Sequence, residues 1–302
     1  MSNGAKKLVH GLLLIILVVV AVRYVDFSVV SRISPFSVAA VWLVVLIANI
    51  ARFFTIRLAM LRHDISLHTR EWLGLGVYSA LLNLVLPLRA GLSVKAVYLK
   101  RKYGFNYSKL IGVQGAIGLL QFYVLISLAL LLGLTSRLMN NLTALILLLV
   151  VVFAMLAPYF FSSINLTKQT KIAQALQNAF NTFLHLAKNT RFMFDVLLNM
   201  IVILFFTGLA VYFAFFGLGV SISLPDALLI SVIVSLLSVI NLTPGNLGIH
   251  EFAVAFLGQA LGGDFDTGFV AMLVVRTMSV LGFFVLSPIG LKLKSSATEN
   301  DL

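Results

Sequence analysis

The chain has 302 residues, of which 61% are hydrophobic and only 11% are charged, and its formal net charge is +12. Soluble globular domains carry roughly a quarter charged residues, so this composition, with a mean hydropathy of +1.07, excludes a soluble protein and predicts an integral membrane protein. The positive charges collect in loops beside apolar segments, so they predict orientation in a membrane rather than nucleic-acid binding. The chain has no cysteine, which excludes disulfides and thiolate chemistry.

Apolar segments separated by charged loops predict six membrane crossings, at 8–22, 35–55, 110–133, 142–161, 196–216 and 268–290. The first resembles the start of a signal peptide, but Arg23, Tyr24 and Asp26 stand where small residues would precede cleavage. We therefore interpret it as an uncleaved span. The distribution of basic residues between loops predicts that both termini lie in the cytoplasm.

The apolar segment 72–87 is flanked by basic residues on both sides, which predicts that both of its ends face the cytoplasm. A single crossing would place one basic cluster outside, and two full spans need more residues than the segment has. We therefore predict a re-entrant hairpin that enters from the cytoplasm and turns at residues 87–91, Pro-Leu-Arg-Ala-Gly.

A second hairpin is predicted at 227–261, because the loops beside it contain three aspartates and neither lysine nor arginine, which places both ends outside. Its apolar run is interrupted by Pro244, Gly245 and Gly248, and Glu251 follows. Irregular backbone at membrane depth is tolerated only against protein or a water-filled cavity. The interruption is therefore the strongest candidate for a site.

The order of crossings and hairpins repeats with opposite orientation in residues 1–133 and 141–294. This predicts an all-α polytopic membrane protein, with one membrane domain over 1–294, about six transmembrane helices, two re-entrant hairpins in an inverted repeat, and a short polar tail at 295–302. In secondary transporters, interrupted helices in corresponding positions of two such halves mark the substrate site. The candidate substrate-binding residues are Asn83, Arg89, Asn241, Pro244, Gly245, Gly248, Glu251 and Arg276.

Charged side chains at membrane depth are costly and are functional by default. Arg276 and Glu251 are expected to pair, either as a pair that a headgroup disrupts or as a fixed ion pair that holds the second hairpin to the last helix. Arg89 either draws phosphate or snorkels to the cytoplasmic surface. Snorkelling is the favoured interpretation for Arg52. Apolar residues at helical spacing between 172 and 187 predict a helix that lies on the inner leaflet or packs on the bundle.

Two motifs carry a resemblance to a known family. The segment TPGNLGIHE at 243–251 resembles the Pro-Gly-x-x-Gly-x-x-Glu signature of the flippase-like membrane domain of lysylphosphatidylglycerol synthases and their stand-alone relatives. Residues 83–91 and the basic tract at 98–102 resemble the same family's Asn-x-x-x-Pro-Gly-Arg-x-Gly segment. Leu88 stands in place of a glycine there, and Leu92 stands where an acidic residue is common. The resemblance covers nearly the whole chain.

This resemblance implies a translocator of the cytoplasmic membrane that moves the polar headgroup of a lipid. The substrate would be an aminoacylated phospholipid, or a glycolipid or polyprenyl-linked sugar. It further implies alternating access, with Arg89 and Arg276 drawing phosphate and Glu251 contacting a cationic or hydroxyl-bearing group. We expect no counterpart of the family's synthase domain after Lys294.

Two functions from other classes remain as alternatives. One is a non-transporting scaffold or partner subunit for a lipid- or glycan-modifying membrane enzyme. The other is a membrane enzyme, which the sequence disfavours because no two histidines have zinc-like spacing within a span. His250 and Glu251 are adjacent on a predicted helix and so point apart. We therefore predict no catalytic residues, no metal, no cofactor and no nucleic-acid partner.

Overall fold

The computed structural model describes Arg23 and residues 26–86, 90–133, 171–238 and 243–298. All regular structure in these residues is helical, which confirms the all-α class. The α-helices are α1 Pro35–Leu61, α2 Thr69–Val85, α3 Gly91–Tyr103, α4 Tyr107–Gly133, α5 Lys171–Lys188, α6 Thr190–Gly217, α7 Leu224–Leu237, α8 Ile249–Ala260 and α9 Phe265–Thr298. Two 3-10 turns lie at Phe27–Arg32 and Pro244–Asn246.

Four of these helices are long and apolar enough to cross a membrane: α1, α4, α6 and the Phe265–Pro288 part of α9. They correspond to the second, third, fifth and last predicted crossings, so the protein is a helical membrane protein. The first and fourth predicted crossings, 8–22 and 142–161, lie outside the described residues. The total of six crossings therefore stays a prediction.

Side-chain caps determine where several helices begin. The Ser34 hydroxyl accepts a hydrogen bond from the Ser37 amide before α1, and Pro35 occupies the first position of that helix. At α6, the Asn189 side chain accepts from the Phe192 amide at 2.9 Å. Such caps satisfy amides that have no partner within the helix. The cap at Asn189 explains why α6 begins six residues before the predicted crossing at 196–216.

Helices α1 and α6 pack antiparallel along their whole length. At one end of the bundle Gly217 leaves room for Ser37, since a Cβ on this glycine would lie 2.6 Å from the Ser37 Cβ. At the other end Arg62 donates to Asp195 at 2.6 Å. We call this second end the basic end, because Arg57 of α1, Arg62 just after α1 and Arg191 of α6 lie there.

Helices α1 and α9 run side by side in the same direction. The Asn49 amide donates to the Ser279 hydroxyl at 2.9 Å, and further along the Phe53 and Phe283 rings lie 5.9 Å apart. Both contacts join residues that are 230 positions apart in the sequence. The two helices therefore stay in the same register along this part of their length. These two helices form one wall of the cavity described below.

The first predicted hairpin is a pair of short antiparallel helices, α2 and α3, of 17 and 13 residues. Glu71 near the start of α2 contacts Tyr103 at the end of α3, while Gly91 at the start of α3 packs on Ser79. The basic tract lies within α3, the second arm, rather than after the hairpin. We define the first interruption as residues 86–90, of which 87–89 lie outside the described residues.

The second predicted hairpin is also divided, into α7 and α8 of 14 and 12 residues. We define the second interruption as residues 238–248, of which 239–242 lie outside the described residues. Helix α8 then packs closely on α9, where a Cβ on Gly268 would lie 2.7 Å from the Ala255 Cα. None of the four short helices reaches the roughly 20 residues that a crossing requires. That each pair returns to the membrane face from which it enters stays a prediction.

The amphipathic segment predicted between 172 and 187 is helix α5, and it packs on the bundle. Gly112 of α4 lies against the Ala179 carbonyl, and a Cβ on this glycine would be 2.8 Å from the Thr182 Cβ. Thr182 and Leu186 are buried. The opposite face of α5 is polar and exposed, as expected for a connecting helix at the surface of the bundle.

Candidate functional site

A cavity of about 410 Å³ lies between helices α1, α2, α4, α6, α7, α8 and α9. It lies where two apolar clusters meet, one toward the basic end and one toward the opposite end. A second cavity of about 110 Å³ shares three lining residues with the first. The shared residues are Arg52 of α1, Gln121 of α4 and Ser235 of α7.

The second interruption forms a tight turn that only certain residues permit. Gly245 has φ 58° and Gly248 has φ 83°, values that glycine adopts without steric cost. Asn246 lies between them with φ 54°, in a region that asparagine tolerates better than most residues. The Thr243 hydroxyl donates to the Leu247 carbonyl at 2.9 Å and braces the turn. The sequence Thr-Pro-Gly-Asn-Leu-Gly therefore specifies this turn locally.

Glu251 lies in the first turn of α8 and is almost completely buried. One carboxylate oxygen, Oε2, accepts from the Gly248 amide at 2.8 Å. The amides at a helix start carry partial positive charge, which favours a carboxylate at this place. Arg276 of α9 provides the opposite charge: its Nε contacts Oε1 of Glu251, and Nη2 donates to Oε2 at 3.3 Å.

Arg276 is also bonded to the backbone of the second interruption. Its Nη1 donates to the Gly245 carbonyl at 2.8 Å, and its Nη2 donates to the Asn246 carbonyl at 3.1 Å. The side chains of Glu251 and Arg276 are only 3% and 11% exposed. One guanidinium thus joins α8, α9 and the turn, and disruption of the pair by a headgroup stays a prediction.

The second interruption packs on the end of α2 beside the cavity. A Cβ on Gly245 would lie 3.2 Å from Leu84 Cδ2 and 3.5 Å from the Leu84 Cα, so the turn packs on the end of α2. The neighbouring Asn83 accepts a hydrogen bond from the Gly91 amide at 2.7 Å, which joins α2 to the start of α3. Substitution of Gly245 by a larger residue would strain the turn, because this position has φ 58°.

The structure divides the predicted site residues into three groups. Asn83, Gly245 and Arg276 line the cavity. Pro244, Gly248 and Glu251 form the turn and the ion pair behind that lining. Arg89 and Asn241 lie outside the described residues.

Arg52 is a cavity residue to which the sequence analysis gave a different role. It lies on α1, three residues beyond Asn49, and its Nη1 donates to the Asn49 side-chain oxygen at 3.3 Å. Gln121 and Ser235 face the same space from α4 and α7. One sequence signal could have indicated this position. Asn49 and Arg52 are spaced i, i+3 within an apolar helix, which places both polar side chains on one face.

A buried carboxylate outside the cavity fixes the first hairpin. Glu71 accepts hydrogen bonds from Tyr98 at 2.6 Å, Lys102 at 2.6 Å, Tyr103 at 2.9 Å and the His68 amide at 2.8 Å. Burial alone would raise the pKa of Glu71, but the hydrogen bonds outweigh it and lower the pKa to about 2. The carboxylate therefore remains charged and holds α3 against α2.

The model of the lysylphosphatidylglycerol synthase transmembrane region matches residues 8–287. The chain belongs to this family. The match is to the family's membrane region and includes no synthase domain. Comparisons with curated proteins and with solved structures gave no significant match.

Proposed function

We propose that this member of the family moves a lipid with a polar headgroup from one membrane leaflet to the other. Membership in the family supports a lipid-related function in the membrane. The observation that carries the proposal is the cavity, which lies between membrane-spanning helices and the short helices of both hairpins, where the second interruption packs on the end of α2. The headgroup would pass through this cavity while the acyl chains stay in the bilayer.

The lining of the cavity is mostly apolar, but it includes a set of polar side chains that suits a headgroup. Its lining combines amide and hydroxyl side chains with two arginines, among them Asn49, Arg52, Asn83, Gln121, Ser235 and Arg276. Polar groups at membrane depth are costly unless they have partners. Water or a headgroup in the cavity provides such partners, whereas a purely structural core would be stabilised by apolar residues at these positions.

Opening to each side would come from movement of the two hairpins. In transporters with inverted repeats, one bundle rocks against the other around a fixed central site. The contact between Leu84 and Gly245 joins the ends of both hairpins, so movement of either one changes the cavity. The Glu251–Arg276 pair keeps the second interruption attached to α9, which suits movement of the second hairpin together with α9 as one body.

Transport can be measured with the full chain in liposomes that contain an acyl-labelled fluorescent lipid. Dithionite bleaches only the outer leaflet, so transport makes the inner-leaflet lipid accessible. The probes are labelled phosphatidylglycerol, lysyl-phosphatidylglycerol and a labelled polyprenyl phosphate, each compared with protein-free liposomes. We expect faster access for at least one probe.

A cavity-filling variant connects this transport to the site. Ser235 lines both cavities, so Ser235→Phe places a bulky side chain at their common wall. We expect transport to slow by about tenfold or more, equivalent to ~1.4 kcal/mol of barrier. Thr277→Phe is the matched control, since Thr277 is exposed on α9 and does not line either cavity. No transport of any probe, or equal transport by both variants, contradicts the proposal and favours the scaffold alternative.

A further inference from the structure

The cavity contains two arginines in different electrostatic states. Arg276 is neutralised by Glu251, and its remaining donors are bonded to two backbone carbonyls. Arg52 has no carboxylate within ion-pair distance among the described residues, where ion pairs join other partners. The charge of Arg52 is thus free to act on a molecule in the cavity.

The side chain of Arg52 is exposed and borders both cavities from a position well inside α1. Arg52 lies nine residues before Leu61, the last residue of α1, or about 14 Å from the basic end at 1.5 Å per residue. Its side chain forms part of the wall of both cavities. Asn49 orients it, because the Asn49 amide donates to Ser279 and its oxygen is thereby turned toward Arg52.

The described lining of the cavity has a positive charge balance. Arg52 and Arg276 each contribute one positive charge, and Glu251 behind Arg276 contributes one negative charge. Both oxygens of Glu251 already contact Arg276, and Oε2 also accepts from the Gly248 amide. An ammonium group entering the described part of the cavity would therefore meet a cation and no available carboxylate. A phosphate would meet Arg52, with Gln121 and Ser235 beside it.

We infer that Arg52 binds the phosphate of the transported lipid and that the cavity prefers a headgroup of net negative charge to an aminoacyl headgroup. This inference rests on the proposed function and specifies its substrate class as a lipid phosphate without a compensating ammonium. A guanidinium suits this task because its planar donors match phosphate oxygens in pairs. Arg276 then has the separate task of holding the second interruption.

The test measures lipid binding, not transport. The full chain in detergent is titrated with farnesyl phosphate, farnesol and lysyl-phosphatidylglycerol, and the bound fraction is read by native mass spectrometry. We expect farnesyl phosphate to bind more tightly than either other probe. Arg52→Gln should weaken binding of farnesyl phosphate by about tenfold or more, while Arg52→Lys should retain part of the affinity because it keeps the charge.

Arg57→Gln is the matched control, since Arg57 is on the same helix but lines neither cavity. It should bind farnesyl phosphate as the wild type does. Size-exclusion profiles establish that each variant is folded. If Arg52→Gln does not fold, the wild type alone still tests the inference. Equal affinities of the wild type for farnesyl phosphate and farnesol overturn it.

The outcomes separate this inference from the proposed function. The inference is overturned if lysyl-phosphatidylglycerol binds more tightly than farnesyl phosphate. It is also overturned if Arg52→Gln leaves the affinity for farnesyl phosphate unchanged. In both cases the protein can still transport lipid in liposomes. Arg52-dependent binding of farnesyl phosphate supports the inference even if no probe is transported, in which case the transport proposal fails alone.

Discussion

Arg276→Gln tests whether the Glu251–Arg276 pair holds the second hairpin in place. The substitution leaves the buried Glu251 carboxylate without its cation and the Gly245 and Asn246 carbonyls without their donors. Removing one member of a buried ion pair costs about 3–5 kcal/mol. For a chain of this size we expect the apparent unfolding temperature to fall on the order of 10 °C.

Glu251→Gln should destabilise less, by about 2 kcal/mol, because an amide oxygen still accepts a hydrogen bond and Arg276 keeps its two carbonyl partners. The double variant should be no less stable than Arg276→Gln alone, since it contains no unpaired buried carboxylate. The two substitutions therefore have a coupling free energy of at least about 2 kcal/mol.

The assay is thermal unfolding of the purified protein in one detergent at one scan rate, because unfolding of membrane proteins is seldom reversible. Arg57→Gln is the control. Arg57 lies over the Phe54 ring, and its Cζ is 5.4 Å from the ring centroid. Loss of this cation–π contact should cost up to ~1 kcal/mol at a moderately exposed site. An Arg276→Gln protein as stable as this control, or purely additive effects in the double variant, would refute the reasoning.

Three further predictions concern the helix contacts. Glu71→Gln should lower the unfolding temperature at neutral pH, because a carboxylate that accepts several charged or phenolic donors is lost. The pKa of Glu71 is lowered from 4.5 to about 2, so the wild type should lose this stabilisation only as the pH falls from about 4.5 toward 2, and the variant should lack that loss. Asn83→Ala removes the acceptor for the Gly91 amide and should cost about 0.5–1.5 kcal/mol in thermal unfolding. Gly268→Val should cost about 1–3 kcal/mol or more, because its Cβ meets the backbone of Val254 and Ala255; stability equal to the wild type would contradict the close packing of α8 on α9.

The interrupted helices were predictable because their signals are local. The glycines at 245 and 248 have positive φ, and Glu251 caps the start of α8 three residues after Gly248. Such preferences act over a few residues and can be identified without knowledge of the fold. The same holds for α1, which begins at a serine cap followed by Pro35.

The role of Arg52 could not be predicted in this way. Its distance along the sequence from the predicted inner boundary suggested snorkelling, and the structure shows in addition that it lines both cavities with Gln121 and Ser235. Those residues are far from Arg52 in the sequence, and no local pattern shows that α4 and α7 face α1. Glu71 is similar, since its partners Tyr98 and Tyr103 lie on another helix.

Composition and local pattern thus established the membrane class, four of the crossings that the structure describes, and both interruptions. These features depend on the transfer of apolar segments from water and on the backbone preferences of single residues. Both are properties of a short segment and do not require knowledge of the rest of the fold. The cavity, the charge balance within it and the partners of Arg52, Glu71 and Arg276 depend on how helices pack. Packing brings together residues as far apart as Asn49 and Ser279, and so only the tertiary structure could show that Arg52 lines the cavity and that Arg276 also bonds the backbone of the turn.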